Sequence, residues 1–478
     1  MIFIPEAVLT VTFLLVLIGD ILLSNKHLHW MGYLAAGGMI VGFGAHGAFL
    51  NQTGTLFGGM FVQDSFAQLA KFLFLLIAFF VILMTREYSR KLEKGQGEFY
   101  LLIVSATLGM CVLVSSFNLL LIFIALEALT FSSYIMTSYL KHESTSTEAG
   151  LKYLIFGAVA TAFMLLGISL IYGGTGTFDL AAIREVLRVG ASGVRPGEGP
   201  SPLLIFGFLF LTLGLTFKMA AVPFHLWAPD VYQGAPTPVT AFLAVGSKTA
   251  GVVLFLRIFY EVFNPIHSHI AFVLALLSAA CLVYANLSAL PQTNIKRLLG
   301  YSSISHAGYI LMGMTAGDSQ GVGYILFYLI SYLFTNLCAF FVISLQSSHQ
   351  EADNIIDYRG LGQRSPFLAA CLLIALLSLT GIPPTSGFIA KLLLIISAIN
   401  QGYIWLAIVA IFASVISVFY YFSIAEKMFL QDPQDKTPLV APIPIRVALY
   451  VTVFAIFALG VIPGPVLAWC VRASGSLF

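Results

Sequence analysis

The stretch Gly214–Lys248, GLTFKMAAVPFHLWAPDVYQGAPTPVTAFLAVGSK, decides how the chain is read. It joins two apolar runs and sets one lysine in each, Lys218 and Lys248. Between them lie Pro223, Pro229, Pro236 and Pro238. An ammonium at bilayer depth costs about 3 kcal/mol or more, so a lysine there is rare and marks an ion path by default. Proline frees backbone carbonyls that only buried protein or a water-lined cavity can satisfy. Two lysines around a broken helix point to an internal polar route for a cation.

Working outward, 59% of the 478 residues are hydrophobic and only 9% are charged, against about 25% charged in a soluble domain. The apolar runs are unbroken and of helical length, which excludes an outer-membrane barrel. The expectation is an all-α polytopic membrane protein. The net charge of +2 marks no nucleic-acid partner. Cys111, Cys281, Cys338, Cys371 and Cys470 stand singly in apolar runs, with no CxxC or Cys/His cluster to hold zinc or iron–sulfur. No phosphate-cradling glycine pattern occurs. The first apolar run lacks a basic leader and a cleavage site, so it is expected to stay as a helix.

Spans are expected near 5–24, 30–50, 65–85, 99–116, 118–140, 150–173, 203–222, 238–260, 268–290, 299–316, 321–346, 366–399 (broken), 403–427 and 443–470, about fourteen transmembrane helices in all. With the N-terminus outside, thirteen Lys and Arg residues, from Lys26 to Arg446, fall in inner loops. Only Arg184, Arg188, Arg195 and Arg472 fall outside. That asymmetry favours this orientation, with both termini on the outer face. The longest loop, about 174–202, is then outside, and its GVRPGEGPSP run is turn-rich.

A second breaker lies in LSLTGIPPTSGFIAKLLL, where Pro383 and Pro384 interrupt a span ahead of Lys391. The breakers fall in spans 7 and 12. An odd separation of five spans gives two five-helix units opposite orientations, as in transporters whose path runs along the repeat interface. The expected organisation is a three-helix segment 1–98, a first five-helix repeat 99–260, an inverted second repeat 261–428 and a C-terminal helix 429–478.

Glu127, in FNLLLIFIALEALTFSSY, sits mid-span. A carboxylate there stays ionised only beside a cation, and the pair then titrates as a unit. Lys218, Lys248 and Lys391 lie too deep to reach the interface, and lysine, unlike arginine, can lose its proton on burial. Lys152 follows Glu148 by four residues at the start of the sixth span, as a helix-start charge pair or as part of the inner mouth. Lys71 and Arg257 lie near span ends and are expected to snorkel. His306 either relays protons between lysines or fills a helix contact. His225 follows Pro223 and could face the cavity. Ser302, Ser303, Ser305, Tyr301 and Tyr309 either hold water near His306 or bond helix to helix. His27, His29, His267, His269 and His349 are expected in loops without a role.

Five segments together carry a resemblance: LEALTFSSYIMTSY, STEAGLKYLIFGAVATAFMLLGISLIYGGTGTFDL, FKMAAVPFHLWAPDVYQGAPTPVTAFLAVGSKTAG, NIKRLLGYSSISHAGYILMG and LSLTGIPPTSGFIAKLLLI. Over about residues 60–430 the chain resembles the antiporter-like, proton-translocating subunits of respiratory complex I, the type I NADH:quinone oxidoreductase. TEAGLKY and TGIPPTSGF point to the N-type, and no long lateral helix of the L-type follows. The resemblance implies that Glu127 and Lys218 form the family's ion pair and that Lys248 connects it onward. It implies that Lys391 is the twelfth-span base and Lys152 the sixth-span lysine of N-type chains. It further implies no cofactor in this chain, with FMN, iron–sulfur clusters and quinone held by partner subunits. M-type, K-type and J-type neighbours, membrane lipid and a bacterial plasma (inner) membrane follow from it. The alternatives are a subunit of a multisubunit cation/proton antiporter, a related ferredoxin-, F420-, formate- or hydrogenase-linked membrane complex, or a structural spacer.

Overall fold

The computed structural model describes residues 2–23, 28, 30–50, 52–89, 95–191, 202–264, 267–349, 353–433 and 437–478. Lys26, Arg90, Lys91, Lys94, Arg195, Lys436, His27, His29 and the run 193–201 lie outside the described residues, as do the side chains of His269 and His349. The helices are α1 Ile4–Leu22, α2 Trp30–Ala48, α3 Ser65–Tyr88, α4 Gln96–Ser115, α5 Leu119–Thr137, α6 Ser144–Thr175, α7 Leu180–Ala191, α8 Pro202–Met219, α9 Trp227–Gly234 and α10 Thr237–Phe242. They continue as α11 Lys248–Val262, α12 His267–Ala289, α13 Ile295–Gly313, α14 Ser319–His349, α15 Leu361–Arg364, α16 Pro366–Thr380, α17 Ser386–Asn400, α18 Ile404–Leu430, α19 Ile443–Val461 and α20 Gly464–Ser474. One antiparallel strand pair, β1 Gly54–Leu56 with β2 Phe61–Gln63, precedes α3.

Eleven described helices, with α10 and α11 joined as one, are long and apolar enough to cross a membrane, and α16 and α17 are shorter apolar helices. Polar side chains cap the starts of α3, α5 and α13. The Asp64 carboxylate accepts from Ala67 N at 2.7 Å before α3, and Asn294 Oδ1 accepts from Arg297 N at 3.0 Å in α13. The α10–α11 span is wholly buried, α14 nearly so, and α3 over most of its length. The apolar faces of α6, α18 and α19, with Ile155, Phe419 and Phe454, stay exposed as a lipid-facing surface requires.

Both expected breaks are present. After α8, Ala220 adopts φ 54°, a left-handed backbone that residues with a Cβ seldom take, and Ala221 N bonds back to Thr216 O at 3.0 Å. The chain then turns through Pro223, forms the single helical stretch α9, and re-enters as α10. The second break separates α16 from α17 at 381–385. Each breaker contains a cis X-Pro bond, Val222–Pro223 and Pro383–Pro384.

Three departures from the sequence reading stand out. A π-helical turn, Leu243–Ser247, lies directly before Lys248. The loop near 174–202 contains α7, an amphipathic helix in the described part of that segment. The last span does not run to 470, because Pro463 and Gly464 end α19 and start the separate α20.

Candidate functional site

Lys218 is on the last turn of α8 and almost wholly buried. Its Nζ lies 3.4 Å from Tyr153 Oη and 5.6 Å over the Tyr153 ring, so α6 supplies both a hydroxyl and a π-face to the ammonium. Tyr153 is fixed by stacking on Trp227 at 4.6 Å, and Trp227 Nε1 donates to Phe217 O at 3.1 Å. The first break thus folds α9 back as an aromatic wall beside Lys218. Gly251 of α11 lies against the Lys218 stem, where a Cβ would stand 2.9 Å from Lys218 Cβ.

Glu127 of α5 accepts a hydrogen bond from Thr161 Oγ1 of α6 at 2.9 Å. Glu127 and Lys218 line one small cavity with Thr130, Tyr134 and Thr161, about 10 Å³ of space for a water-sized centre, close to what one water needs. Among the described residues no salt bridge joins the two. They face a common space rather than each other directly.

Lys248 opens α11, buried, and donates to the Ser303 carbonyl oxygen of α13. Ser303 Oγ bonds Tyr232 Oη of α9 at 3.1 Å and accepts from Tyr332 Oη of α14 at 3.2 Å. One turn further along α13, His306 Nδ1 is 2.5 Å from Tyr328 Oη, and its ring lies 4.9 Å from that of Tyr332. His306, Tyr328, Tyr332, Ser331, Ser378 and Lys391 line a second cavity of about 10 Å³. Lys391 of α17 donates to Thr380 O at 2.9 Å and Ser414 Oγ at 3.3 Å, 4.8 Å over the Tyr309 ring. Thr380 ends α16, so the lysine meets the negative end of the half-helix that the second break created. Lys248, His306 and Lys391 are therefore brought together, through tyrosine and serine hydroxyls.

Lys152 lies at one end of this arrangement. Its Nζ is 2.7 Å from Glu148 and 2.7 Å from Asp230. Asp230 also binds Arg297 Nη1 at 2.5 Å, and Arg297 donates to Gln233 at 3.1 Å. These residues line an opening of about 170 Å³. It adjoins a larger one, about 450 Å³, lined by Glu143, Lys296 and Asp353, with Lys296 paired to Asp353 at 2.7 Å. Burial works to raise the Asp230 carboxyl, but hydrogen bonds and charge from Lys152 and Arg297 outweigh it and hold it below its ordinary value. Sequence reasoning missed Asp230, Arg297, Lys296 and Asp353. An acid inside the WAPDVY breaker was the available signal for the first.

Lys71 and Arg257 do not snorkel. Both are fully buried. Lys71 pairs with Glu6 at 2.5 Å, and Arg257 forms two 2.9 Å bonds to the Asp64 carboxylate. Arginine makes that planar fork, and a deep acid partner removes the need to reach water. His225 packs edge-on against Tyr284 with Nδ1 3.2 Å from Pro223 O. The hydroxyls near His306 bond helix to helix: Ser302 to Tyr421, Tyr309 to Ala410 O at 2.8 Å, and Ser305 from Asn286 at 2.8 Å. His267 belongs to α12 rather than a loop, with Nε2 3.1 Å from Met314 O. The five cysteines are free and buried, and among the described residues no group of three His, Cys, Asp or Glu could hold a metal.

Together these features define an integral multi-pass membrane protein built around a buried axis of ionisable side chains. Residues 116–417 match the family described as "NADH:quinone oxidoreductase/Mrp antiporter, TM", and the chain belongs to it. It is 39% identical over 459 residues to "NADH-quinone oxidoreductase subunit N" of Moorella thermoacetica, covering 96% of this chain and 94% of that one. A chain of respiratory complex I from Thermus thermophilus superposes with a TM-score of 0.81 at 32% identity, over 97% of this chain and 98% of that one. A chain of the Mrp complex from Dietzia superposes at 0.86 with 19% identity, over 99% and 97%, which is a likeness of fold alone.

Proposed function

We propose that the chain is a proton-translocating membrane subunit of an NADH:quinone oxidoreductase, of the N-type. The observation that carries the reading is the linked set Lys248–Ser303–Tyr332–His306, ending at the cavity shared with Lys391. A lysine that can lose its proton, hydroxyls that can turn, and an imidazole that can accept a proton on one nitrogen and give one up from the other make a proton path. Lys152 and Asp230 form its inner mouth, and Glu127 with Lys218 the first switch. Redox events in partner subunits change the charge beside Glu127. The pair then closes or opens, and the proton on Lys218 is driven toward Lys248 and Lys391. Coupling requires that the redox states contact this chain differently.

Counting α2, α13 and the α16–α17 pair with the eleven long spans gives fourteen. In this reading α4–α11 and α12–α18 are inverted units, 99–260 and 261–428, behind the segment 1–98 and ahead of 429–478. Both termini face outward from a bacterial inner membrane. M-type, K-type and J-type chains are the neighbours, and FMN, iron–sulfur clusters and quinone belong to partners.

The test is purification through a C-terminal tag in mild detergent. Iron–sulfur absorption with quinone-reductase activity in the copurified assembly is the expected outcome. A colourless set of small membrane subunits with cation-dependent proton exchange would replace this reading with the antiporter one.

A further inference from the structure

A second group of buried ionisable side chains lies outside the lysine axis and outside residues 116–417. Glu6 is in the first turn of α1, His46 in the last turn of α2, and Lys71 roughly 10 Å along α3 from Asp64 at 1.5 Å per residue. Three helices thus bring an acid, an imidazole and an amine to one end of the bundle, beside the β1–β2 hairpin. All three are buried, Glu6 and Lys71 completely. Lys71 Nζ is 2.5 Å from Glu6 Oε1 and 2.5 Å from Gln63 Oε1 of the hairpin, and it lies 4.7 Å over the Phe61 ring. Among the described residues, Glu6 Oε2 and His46 Nε2 are buried without a hydrogen-bond partner. His46 is close enough to Lys71 for their charges to interact, and Cys111 of α4 stands in the same relation to Glu6 and Lys71.

A pair kept only to hold helices together would satisfy its oxygens. Well-packed apolar side chains of similar volume would serve that purpose as well. Here two polar atoms stay open around a short ion pair. We propose that Glu6, Lys71 and His46 form a second proton-exchanging site, set beneath the hairpin on the N-terminal side of the membrane. The step is a transfer from Lys71 to Glu6: an N–H bond breaks, an O–H bond forms, and the electron pair stays on nitrogen. Both groups become neutral, so the exchange leaves no net charge in the apolar surroundings. His46 Nε2 is the next acceptor.

The site rests on the proton-translocating reading above, and the experiment separates the two. The assembled complex is reconstituted in vesicles, and protons moved per quinone reduced are measured for Lys71→Arg, Glu6→Gln/Lys71→Met and Lys218→Ala. Arginine keeps the charge and the pairing but does not give up its proton, so Lys71→Arg preserves a structural pair and stops exchange. The expected result is normal assembly and quinone reduction, with proton transfer lowered to the level of Lys218→Ala. A full proton yield in Lys71→Arg, while Lys218→Ala is impaired, overturns the site. If Lys71→Arg does not assemble, the neutral double variant decides, and a full yield there overturns it equally. A full yield in Lys218→Ala overturns the reading on which the site depends.

Discussion

Lys218 and Asp230 show how much a single side chain decides. Lys218 has an aromatic hydroxyl, a π-face and a cavity shared with Glu127, but among the described residues no salt bridge holds its proton in place. Lys218→Ala is therefore expected to strongly reduce pumping, with that transfer slowed about a hundredfold or more, while the complex still assembles. Proton uptake by vesicles checks this, and normal pumping removes Lys218 from the path. Asp230 is held below its ordinary value, so its bridge to Lys152 and Arg297 is fully formed above about pH 4 and lost only as pH falls through the lower folded value. Asp230→Asn should accordingly depress proton uptake evenly between about pH 6 and 8. A deficit confined to one limb of the pH profile would contradict that. The depth of Lys218, Lys248 and Lys391 was legible because each lies far inside an apolar run. The partners of Lys71 and Arg257 were not legible: Arg257 meets Asp64, 193 residues away in the chain. Distance from a helix end cannot reveal an acid contributed by another element.

At the scale of elements, prolines announced both breaks, and the breaks explain where the lysines find acceptors. Lys391 meets a carbonyl that an unbroken helix would have used internally. The π turn before Lys248 has no such signal, since LAVGS suits an α-helix equally. Helix α7 was hidden because its segment runs into a turn-rich stretch. The close contact of α6 with α8 carries Tyr153 and Thr161 on one side and Lys218 on the other. Small residues allow it. A Cβ on Gly214 would stand 2.9 Å from Ala160 O, and one on Gly207 3.0 Å from Ile171 N. Gly214→Leu should force these backbones apart, at about 1–3 kcal/mol or more. Expected are a lower melting temperature of the assembled complex and weaker pumping together. A melting temperature like that of the parent would show that the contact yields without cost.

For the whole molecule, orientation is the property on which every directional statement about the path depends. Under the proposed fourteen-span topology thirteen basic residues fall on one side and four on the other, and an even number of crossings would return both termini to the same face. The structure contributes a charged cluster of Lys152, Asp230, Arg297, Lys296 and Asp353, gathered where α6, α9 and α13 begin or end, which the proposed path uses as its mouth. The opposite end holds Glu6, Lys71, Asp64 and Arg257. If the basic excess is cytoplasmic, protons enter by Lys152 and leave toward the hairpin side. A cysteine placed in the 437–442 segment before α19 should then be shielded from a membrane-impermeant thiol reagent in intact cells, and one placed after α20 should be labelled. The buried native cysteines give a low background. Labelling of the 437–442 position with protection of the C-terminal one would invert the molecule, and Lys152 would become the exit. Equal labelling of both would mean that α19 does not cross, which breaks the fourteen-span count and the equivalence of the two termini together.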